Sequence, residues 1–243
     1  MKSKLPMPGT LLNTATVLVG SLIGLGLGSQ IPEAYLGVAL TGLGMVNIGM
    51  GVKMFLETKN ILVLAIAVGL GGILGAMLGI NAGLDQFAEW ARQSLGGGET
   101  FNDGLITASV LFCIGPMTLL GCIQDGLERK SDLLALKSTL DGIASVFLAA
   151  TLGIGVLVSA AVVLVLQGLL TLLAKQLAPL AKDPEYLAEV TAVGGVLLMM
   201  IGLTLAEVKK LSTATYLPAL ILAPILVAVW RRWERSKPQE QVA

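Results

Sequence analysis

Eight long apolar segments, separated by short polar loops, constrain the fold of this chain more than any other feature of its sequence. Each is close in length to the roughly 20 apolar residues that a helix needs to cross a bilayer. The segments cover residues 8–28, 34–56, 61–81, 104–124, 134–156, 157–178, 187–206 and 212–230, with the fifth and sixth divided at the turn-forming residues 153–155. Because backbone groups in lipid must bond within their own segment, the pattern predicts an all-α integral membrane protein with about eight transmembrane helices.

The composition excludes several other classes of protein. Hydrophobic residues make up 55% of the 243 residues and charged residues only 13%, whereas soluble domains carry about 25% charged residues. The formal net charge of zero leaves no basic footprint for nucleic acid. The chain has no histidine and no spacing typical of metal ligands or of a nucleophile with its base, so we expect no cofactor, no metal and no enzymatic activity. Cys113 and Cys122 lie in one apolar segment, which favours reduced packing residues.

The distribution of lysine and arginine among the loops predicts how the chain is oriented. If the N-terminus is inside, the inner segments hold all but three of the 16 basic residues. The three on the outer side are Arg92, Lys209 and Lys210. An even number of spans then places both termini, including the tail at 231–243, in the cytoplasm. We also expect the first span to be retained, because it is longer than the apolar core of a signal peptide.

The loop after the third span predicts a short helix at 85–95 that lies in the interface on the outer side of the membrane. Phe87, Trp90 and Leu95 share one helical face, whereas Asp85 and Glu89 point elsewhere. An ordinary solvated loop helix is an equally good interpretation. Three glycines at 96–98 then provide a flexible turn into the fourth span.

The two ends of the chain resemble each other, which indicates an internal repeat. Spans one to three, at 8–81, match spans six to eight, at 157–230, and leave a central pair of helices at 104–156. A shift by five spans reverses the direction of crossing, so the two units are predicted to be inverted. Inverted repeats are typical of secondary transporters, whose sites lie near the midplane where the repeats meet. At an offset of 151 residues the identities are Tyr35-Leu36 with Tyr186-Leu187, Gly44 with Gly195, Gly51 with Gly202, and Lys59 with Lys210.

Five short strings, spread over almost the whole chain, resemble one family of bacterial membrane proteins. They are GTLLN at 9–13, TASVLFCIG at 107–115, IQDGL at 123–127, KSTLDG at 137–142 and EVTAVGG at 189–195. Together they are similar to the YdfK/YqgA-like family of multi-spanning proteins, which is grouped under a domain of unknown function. The resemblance runs from Gly9 to about Val229 and implies a bacterial inner-membrane protein. It implies no substrate and no mechanism.

Asp141 in the fifth span is the strongest candidate for a functional residue. A charged side chain at the bilayer centre costs about 2.5–3.5 kcal/mol on insertion scales, so it is a functional candidate by default. Ser138 and Ser145 share its helical face, and the three side chains are predicted to bind a cation or exchange a proton. The alternative is that Asp141 caps a neighbouring helix or pairs with Lys137 near the inner interface.

The fourth span carries Gly115-Pro116 near its midpoint, which predicts a broken helix. Non-helical backbone at membrane depth is tolerated where it is buried in protein or lines a wet cavity. Thr118 and Asp125 lie on one face of this span, and Gln124 is beside them. These residues are predicted to bind an ion or substrate, although a simple kink and capping groups at the inner interface would also account for them.

Three amides within spans, Asn13, Asn47 and Gln167, complete the candidate set. Amides can replace the hydration shell of an ion, or they can bond across helices, a contact typically worth under about 1–2 kcal/mol. Their number beside Asp141 favours one shared polar site. Glu189, by contrast, opens the seventh span and is predicted to lie at the interface.

Glycines repeat at four-residue spacing in the first and third spans, at 20, 24 and 28 and at 71, 75, 79 and 83. This spacing lets helices approach closely, and we predict that the contacts are internal, with a homodimer as the alternative.

The inverted repeat, the broken helix and the polar groups within spans predict a transporter or channel for a small ion or solute. Coupling to a proton or Na⁺ would pass through Asp141. The expected partners are the lipid bilayer and the transported species. The alternative is a non-transporting scaffold or sensor that acts through partner proteins.

Overall fold

The computed structural model of the chain describes residues 7–28 and 30–236, and it contains helices but no strands in that part. Its α-helices are α1 (Pro8–Gly28), α2 (Glu33–Phe55), α3 (Ile61–Met77), α4 (Ile80–Leu95), α5 (Phe101–Cys113), α6 (Pro116–Glu128), α7 (Asp132–Leu152), α8 (Ile154–Leu172), α9 (Ala174–Lys182), α10 (Pro184–Leu205) and α11 (Pro218–Ser236), with a 3-10 turn at Thr213–Tyr216 before α11. Six helices in the described part are long and apolar enough to cross a membrane, and two bent pairs bring the number to eight if each pair is one span. The predicted all-α membrane fold is therefore confirmed.

Breaks in the chain place several helix ends away from their predicted positions. The third span is shorter than predicted, because Gly79 has φ 63° and the chain bends by 55° between α3 and α4. As a result, the helix predicted from residue 85 already begins at Ile80. The sixth span ends at Leu172, and the more polar residues that follow form the separate helix α9. Gly153, with φ 75°, separates α7 from α8 at the predicted turn.

α1 lies alongside α7, and the two helices run parallel with their backbones in contact. A Cβ added at Gly20, Gly24 or Gly28 would collide with successive carbonyl oxygens of α7, from Gly142 to Ala150. The glycine spacing of the first span therefore serves internal packing, as predicted. No residue with a side chain fits at these three positions without separating the helices.

α2 and α10 form a second close pair, and they run antiparallel. A Cβ at Gly44 would lie 2.7 Å from the carbonyl oxygen of Gly202, and a Cβ at Gly51 would lie 2.7 Å from that of Gly195. Spans three and eight, which correspond in the predicted repeat, also touch, because α3 packs on the residues around 215–219 at the start of α11. α1 contacts α8 as well, so each span of the first predicted repeat unit lies against its counterpart. The inverted repeat itself stays a prediction, as does the homodimer.

The amphipathic helix α4 has two apolar faces. Ala88 and Ala91 are buried against Phe101 and its neighbours in α5. Phe87 and Trp90 are exposed on the other side, with their ring centroids 5.9 Å apart. An exposed aromatic pair on an amphipathic helix suits the membrane interface predicted for this segment.

A charged cluster ties the end of α11 to the start of α10. The Arg231 guanidinium donates to Asp183 Oδ2 at 2.6 Å and to Glu185 Oε2 at 2.5 Å. The guanidinium also lies 4.8 Å from the ring centroid of Tyr186. The hydrogen bonds from Arg231 lower the pKa of Asp183 to about 2.

Helices α1, α5, α7 and α8 surround an apolar core to which each contributes a fully buried side chain. Val17, Phe112, Leu148 and Val163 represent the four helices in this core. α6 continues from α5 and packs against α7, α8 and α9. Most polar candidates of the sequence are buried in α1, α6, α7 and α8, and Asn47 is buried in α2.

Candidate functional site

A buried ion pair lies halfway along α7. Lys137 Nζ is 2.5 Å from Asp141 Oδ2, and Asn13 Nδ2 of α1 donates to the same oxygen at 3.0 Å. Asn13 is fully buried, and the side chains of Lys137 and Asp141 are only 8% and 9% exposed. Asp141 is the tenth residue of the helix, so it lies about 13.5 Å from Asp132 at the helix start, at 1.5 Å per residue. The pair anticipated with Lys137 therefore forms, near the middle of α7 and not at its end.

Asp125 acts as a cap for the first helix. Its Oδ2 accepts hydrogen bonds from the backbone N–H groups of Gly9 at 3.0 Å and Thr10 at 3.3 Å. The first N–H groups of a helix lack partners within the helix, and a carboxylate there also complements the helix dipole. Asp125 is only 2% exposed, and its Oδ1 has no hydrogen-bond partner in the described chain. Its place in the fold matches the capping alternative.

A second polar contact joins α1 to α8 close to this cap. The hydroxyl groups of Thr10 and Thr171 are 3.2 Å apart. The backbone of Thr171 also lies against α6, since a Cβ added at Gly126 would be 2.4 Å from the Thr171 carbonyl oxygen. One turn earlier in α8, Gln167 is fully buried and neither of its polar atoms has a hydrogen-bond partner among the described residues.

The remaining candidates do not join the ion pair. The hydroxyls of Ser138 and Ser145 donate to carbonyl oxygens of their own helix, at 2.6 Å to Leu134 and 2.8 Å to Gly142. Asn47 is buried on α2, and no described hydrogen bond links it to Asp141. Of the residues predicted to share one polar site, the structure thus brings only Asn13 and Asp141 into direct contact in the described chain. The Thr118 hydroxyl and the Gln124 side-chain oxygen are buried without partners within the described chain.

The helix break at Gly115 separates α5 from α6, two helices that both contact α7. α5 and α6 meet there at an angle of 62°, and Gly115 has φ 135° and ψ 157°, a conformation that favours glycine. The break faces α10, where a Cβ at Gly194 would come within 3.4 Å of Ile114. Cys113, two residues before the break, packs on the apolar core that contains Leu148 of α7. Because α5 and α6 both contact α7, a movement at the break would be transmitted to the helix that carries the charged pair.

A cavity of about 490 Å³, which we call the vestibule, opens where α5 begins and α10 ends. An ion pair between Lys210 and Asp103, 2.7 Å apart, lies at its mouth, and both side chains are largely exposed. Thr107 and Val110 of α5 line the vestibule, as does Leu152 at the end of α7. Asp141 is eleven residues from Leu152, or about 16 Å along the helix. Apolar core residues fill the space between the vestibule and the ion pair.

Two buried charges have a larger role in the structure than the sequence indicates. Lys137 was expected only as an alternative partner of Asp141, although residues four apart on a helix are neighbours. Glu189 was predicted to be interfacial and not buried, but its side chain is fully buried against the turn between α2 and α3. Its carboxylate accepts hydrogen bonds from the Thr58 hydroxyl and from the backbone N–H groups of Lys59 and Asn60, at 2.7–3.0 Å. These donors compensate the burial of Glu189 and hold the turn between α2 and α3 against α10.

Comparison with known proteins places the chain in a family. A family model described as "Protein of unknown function (DUF554)" matches residues 8–228. The chain is 29% identical over 227 residues to the "Uncharacterized membrane protein YdfK" of Bacillus subtilis (strain 168), covering 92% of this chain and 96% of that protein. It is 30% identical over 232 residues to the "Uncharacterized protein YqgA" of Escherichia coli (strain K12), covering 93% and 98%. No solved structure matches. The chain therefore belongs to the DUF554 family, and its resemblance to YdfK and YqgA is confirmed.

Proposed function

We propose that this membrane protein transports a small ion or solute across the bacterial inner membrane, coupled to a proton or Na⁺ at Asp141. One observation carries the proposal: a lysine and an aspartate form a buried ion pair halfway along an apolar helix, and that helix contacts both halves of a broken one. Charges in transmembrane segments are rare and mark ion pathways, proton relays or bound ligands. Lys137 and Asp141 face the bundle interior, where such groups occur in transport proteins.

The contacts around Asp141 suggest how coupling would work. Asp141 Oδ2 already accepts hydrogen bonds from the Lys137 ammonium and the Asn13 amide. A proton or metal cation that reaches the carboxylate competes with the ammonium for the same negative charge. The carboxylate would exchange one positive partner for another, and the freed ammonium would have to move. This exchange links ion binding to a rearrangement of α7 against α1.

The vestibule supports a route from the outer side to the ion pair. An ion or solute would enter past Lys210 and Asp103 and reach the apolar layer that contains Val110. Val110 is five residues before Gly115, so a change in the bend between α5 and α6 would displace this layer. Broken helices at membrane depth are common where transporters bind their substrates. In this scheme both termini are cytoplasmic.

The predicted inverted repeat fits the same scheme. Under the offset of 151 residues, Gly44 corresponds to Gly195 and Gly51 to Gly202. The same correspondence therefore converts the contact between Gly44 and Gly202 into the contact between Gly195 and Gly51. A two-fold axis in the membrane plane between α2 and α10 would produce this pattern. Such symmetry lets one conformation open outward and its counterpart open inward.

A flux screen in proteoliposomes tests the proposal. Wild-type protein should move at least one solute or ion when a proton or Na⁺ gradient is applied, and Asp141→Asn should abolish the gradient dependence. Asp132→Asn is the matched control, because it removes an exposed carboxylate from the first turn of the same helix. The proposal fails if no gradient drives flux, or if Asp141→Asn behaves like wild type. Absence of flux together with a stoichiometric protein partner would favour the scaffold or sensor alternative.

A further inference from the structure

Two buried amides, one of them bonded to the ion pair, leave oxygens without hydrogen-bond partners in the described chain. Asn13 and Gln167 are both fully buried. The side-chain oxygen of each, and the Gln167 amide nitrogen, lack a partner in the described part of the chain. A buried polar atom without a partner costs roughly as much as its desolvation, so most such atoms in native proteins are paired. Helix packing alone therefore does not explain why these amide atoms are buried without partners.

The two amides lie at the same level of the bundle. The Thr10 and Thr171 hydroxyls mark one contact between α1 and α8. α1 runs parallel to α7, and α8 starts where α7 ends, so α8 returns in the opposite direction. Asn13 is one turn after Thr10, and Gln167 is one turn before Thr171. Both amides therefore lie one helical turn from the threonine contact, in the same direction. Asn13 is also the residue that donates to Asp141.

Gly168, next to Gln167, provides space at this level. It is buried, yet a Cβ built on it would meet no heavy atom within 4 Å. Gly168 is three residues before Thr171, whose hydroxyl faces α1 and whose backbone lies against Gly126 of α6. Most other buried glycines of the described chain lie hard against a neighbouring helix. Open space at Gly168 thus lies beside Gln167, whose amide lacks partners.

We infer that Asn13, Gln167 and the space at Gly168 form a binding site for a dehydrated monovalent cation of the size of Na⁺. The inference rests on the proposed function and names the coupling ion at the same site. Hard cations take oxygen ligands, and the two amide oxygens offer these, while the Asp141 carboxylate supplies negative charge one hydrogen bond away. Because the site has one carboxylate, which is already paired with Lys137, a monovalent cation matches its charge better than a divalent cation does. No group of three His, Cys, Asp or Glu side chains among the described residues could hold a metal ion in its place.

The Lys137 ammonium competes with the cation for the field of Asp141. Replacing Lys137 with methionine removes the competing charge and leaves Asp141 without its main partner. The Lys137→Met variant should therefore be less stable than wild type in a cation-free buffer and should gain more from added Na⁺.

Thermal unfolding of the purified full chain in detergent tests the site, with NaCl compared against choline chloride at equal ionic strength. Saturating Na⁺ should raise the melting temperature of wild type by about 5 °C or more, as expected for a ligand present at ~100 times its Kd. Gly168→Ala should fill the space and remove this shift without lowering stability in choline. Gln167→Met, of similar length but without polar atoms, should also remove it. Gly42→Ala, on an exposed face of α2 where a Cβ also meets nothing, should keep it.

Equilibrium binding of radioactive Na⁺ provides a second measurement that does not depend on unfolding. Wild type should bind one ion per chain, displaced by unlabelled Na⁺ and not by choline, and Gly168→Ala should bind at least tenfold more weakly. The inference is overturned if wild type binds no Na⁺, or if Gly168→Ala and Gln167→Met keep the full thermal shift, because the space would then hold only water. Na⁺ binding without any flux would support the site and refute transport. Flux that persists unchanged without Na⁺ would refute the site alone.

Discussion

Removing one member of the Lys137–Asp141 pair should destabilise the protein far more than removing both. Lys137→Met leaves a buried carboxylate without its cation, and Asp141→Asn leaves a buried ammonium without its anion. The double variant has no charge at either position and closely preserves both shapes. The amide carbonyl introduced at 141 can still accept the hydrogen bond from Asn13.

The burial of the pair sets the size of the effect. With side chains only 8% and 9% exposed, neither charge can recover its hydration when the partner is lost. Each single variant should lose about 3–5 kcal/mol of stability, whereas replacing both partners of a buried pair is often close to neutral. For a chain of this length, that loss lowers the melting temperature by about 6–20 °C, at 2–4 °C per kcal/mol. The double variant should lie within about 1 kcal/mol of wild type, judged from the behaviour of other buried pairs.

The assay is a double-mutant cycle, with melting temperature and proteoliposome flux measured on the same four preparations. All three variants should lose coupled flux, and only the double variant should retain wild-type stability. That combination separates a functional pair from a structural one. The reasoning is refuted if the single variants are as stable as wild type, if the double variant is as unstable as either single, or if the double variant still couples flux to a cation gradient.

Three further predictions follow from contacts elsewhere in the fold. Gly24→Val should destabilise the protein by about 1–3 kcal/mol in chemical denaturation, because its Cβ collides with the α7 backbone; wild-type stability would contradict the parallel packing. In a chain whose two cysteines are replaced by alanine, Thr107→Cys should react with an impermeant thiol reagent added from outside and Thr118→Cys should not, and the reverse pattern would exclude the vestibule as the outer entrance. Since Arg231 lowers the pKa of Asp183 from its ordinary 3.8 to about 2, their pairing stabilises the protein above about pH 4 and is lost as pH falls towards 2. The melting-temperature difference between wild type and Arg231→Gln should therefore shrink over that range, and a constant difference would contradict it.

Much of the fold could be predicted because lipid imposes simple rules on the sequence. Apolar length predicted which segments form the long helices, and the Gly115-Pro116 step predicted the break between α5 and α6. The bend at Gly79 was missed, because a glycine inside an apolar run reads equally well as a packing residue of a straight helix. The end of α8 was also misplaced, because leucine and alanine residues recur among the polar residues of the separate helix α9.

The candidate site could be predicted only in part, because which polar groups meet depends on which helix faces which. Asp141 and Asn13 stood out as polar residues in apolar spans, but only the packing of α1 along α7 brings them together. The serines on the same face of α7 satisfy their hydroxyls within the helix, a common outcome that spacing does not reveal. The burial of Glu189 was missed because two of its three donors are backbone N–H groups, which leave no trace in the sequence.

The most informative single measurement is the transient current that follows a jump in H⁺ or Na⁺ concentration on protein-containing membranes. It reports ion movement into the protein without requiring that the solute be known. Wild type should give a current with at least one of the two ions, and the variant carrying both Lys137→Met and Asp141→Asn should be folded and give none. Equal currents from the two proteins, or no current from wild type with either ion, would contradict a coupling role for the buried pair.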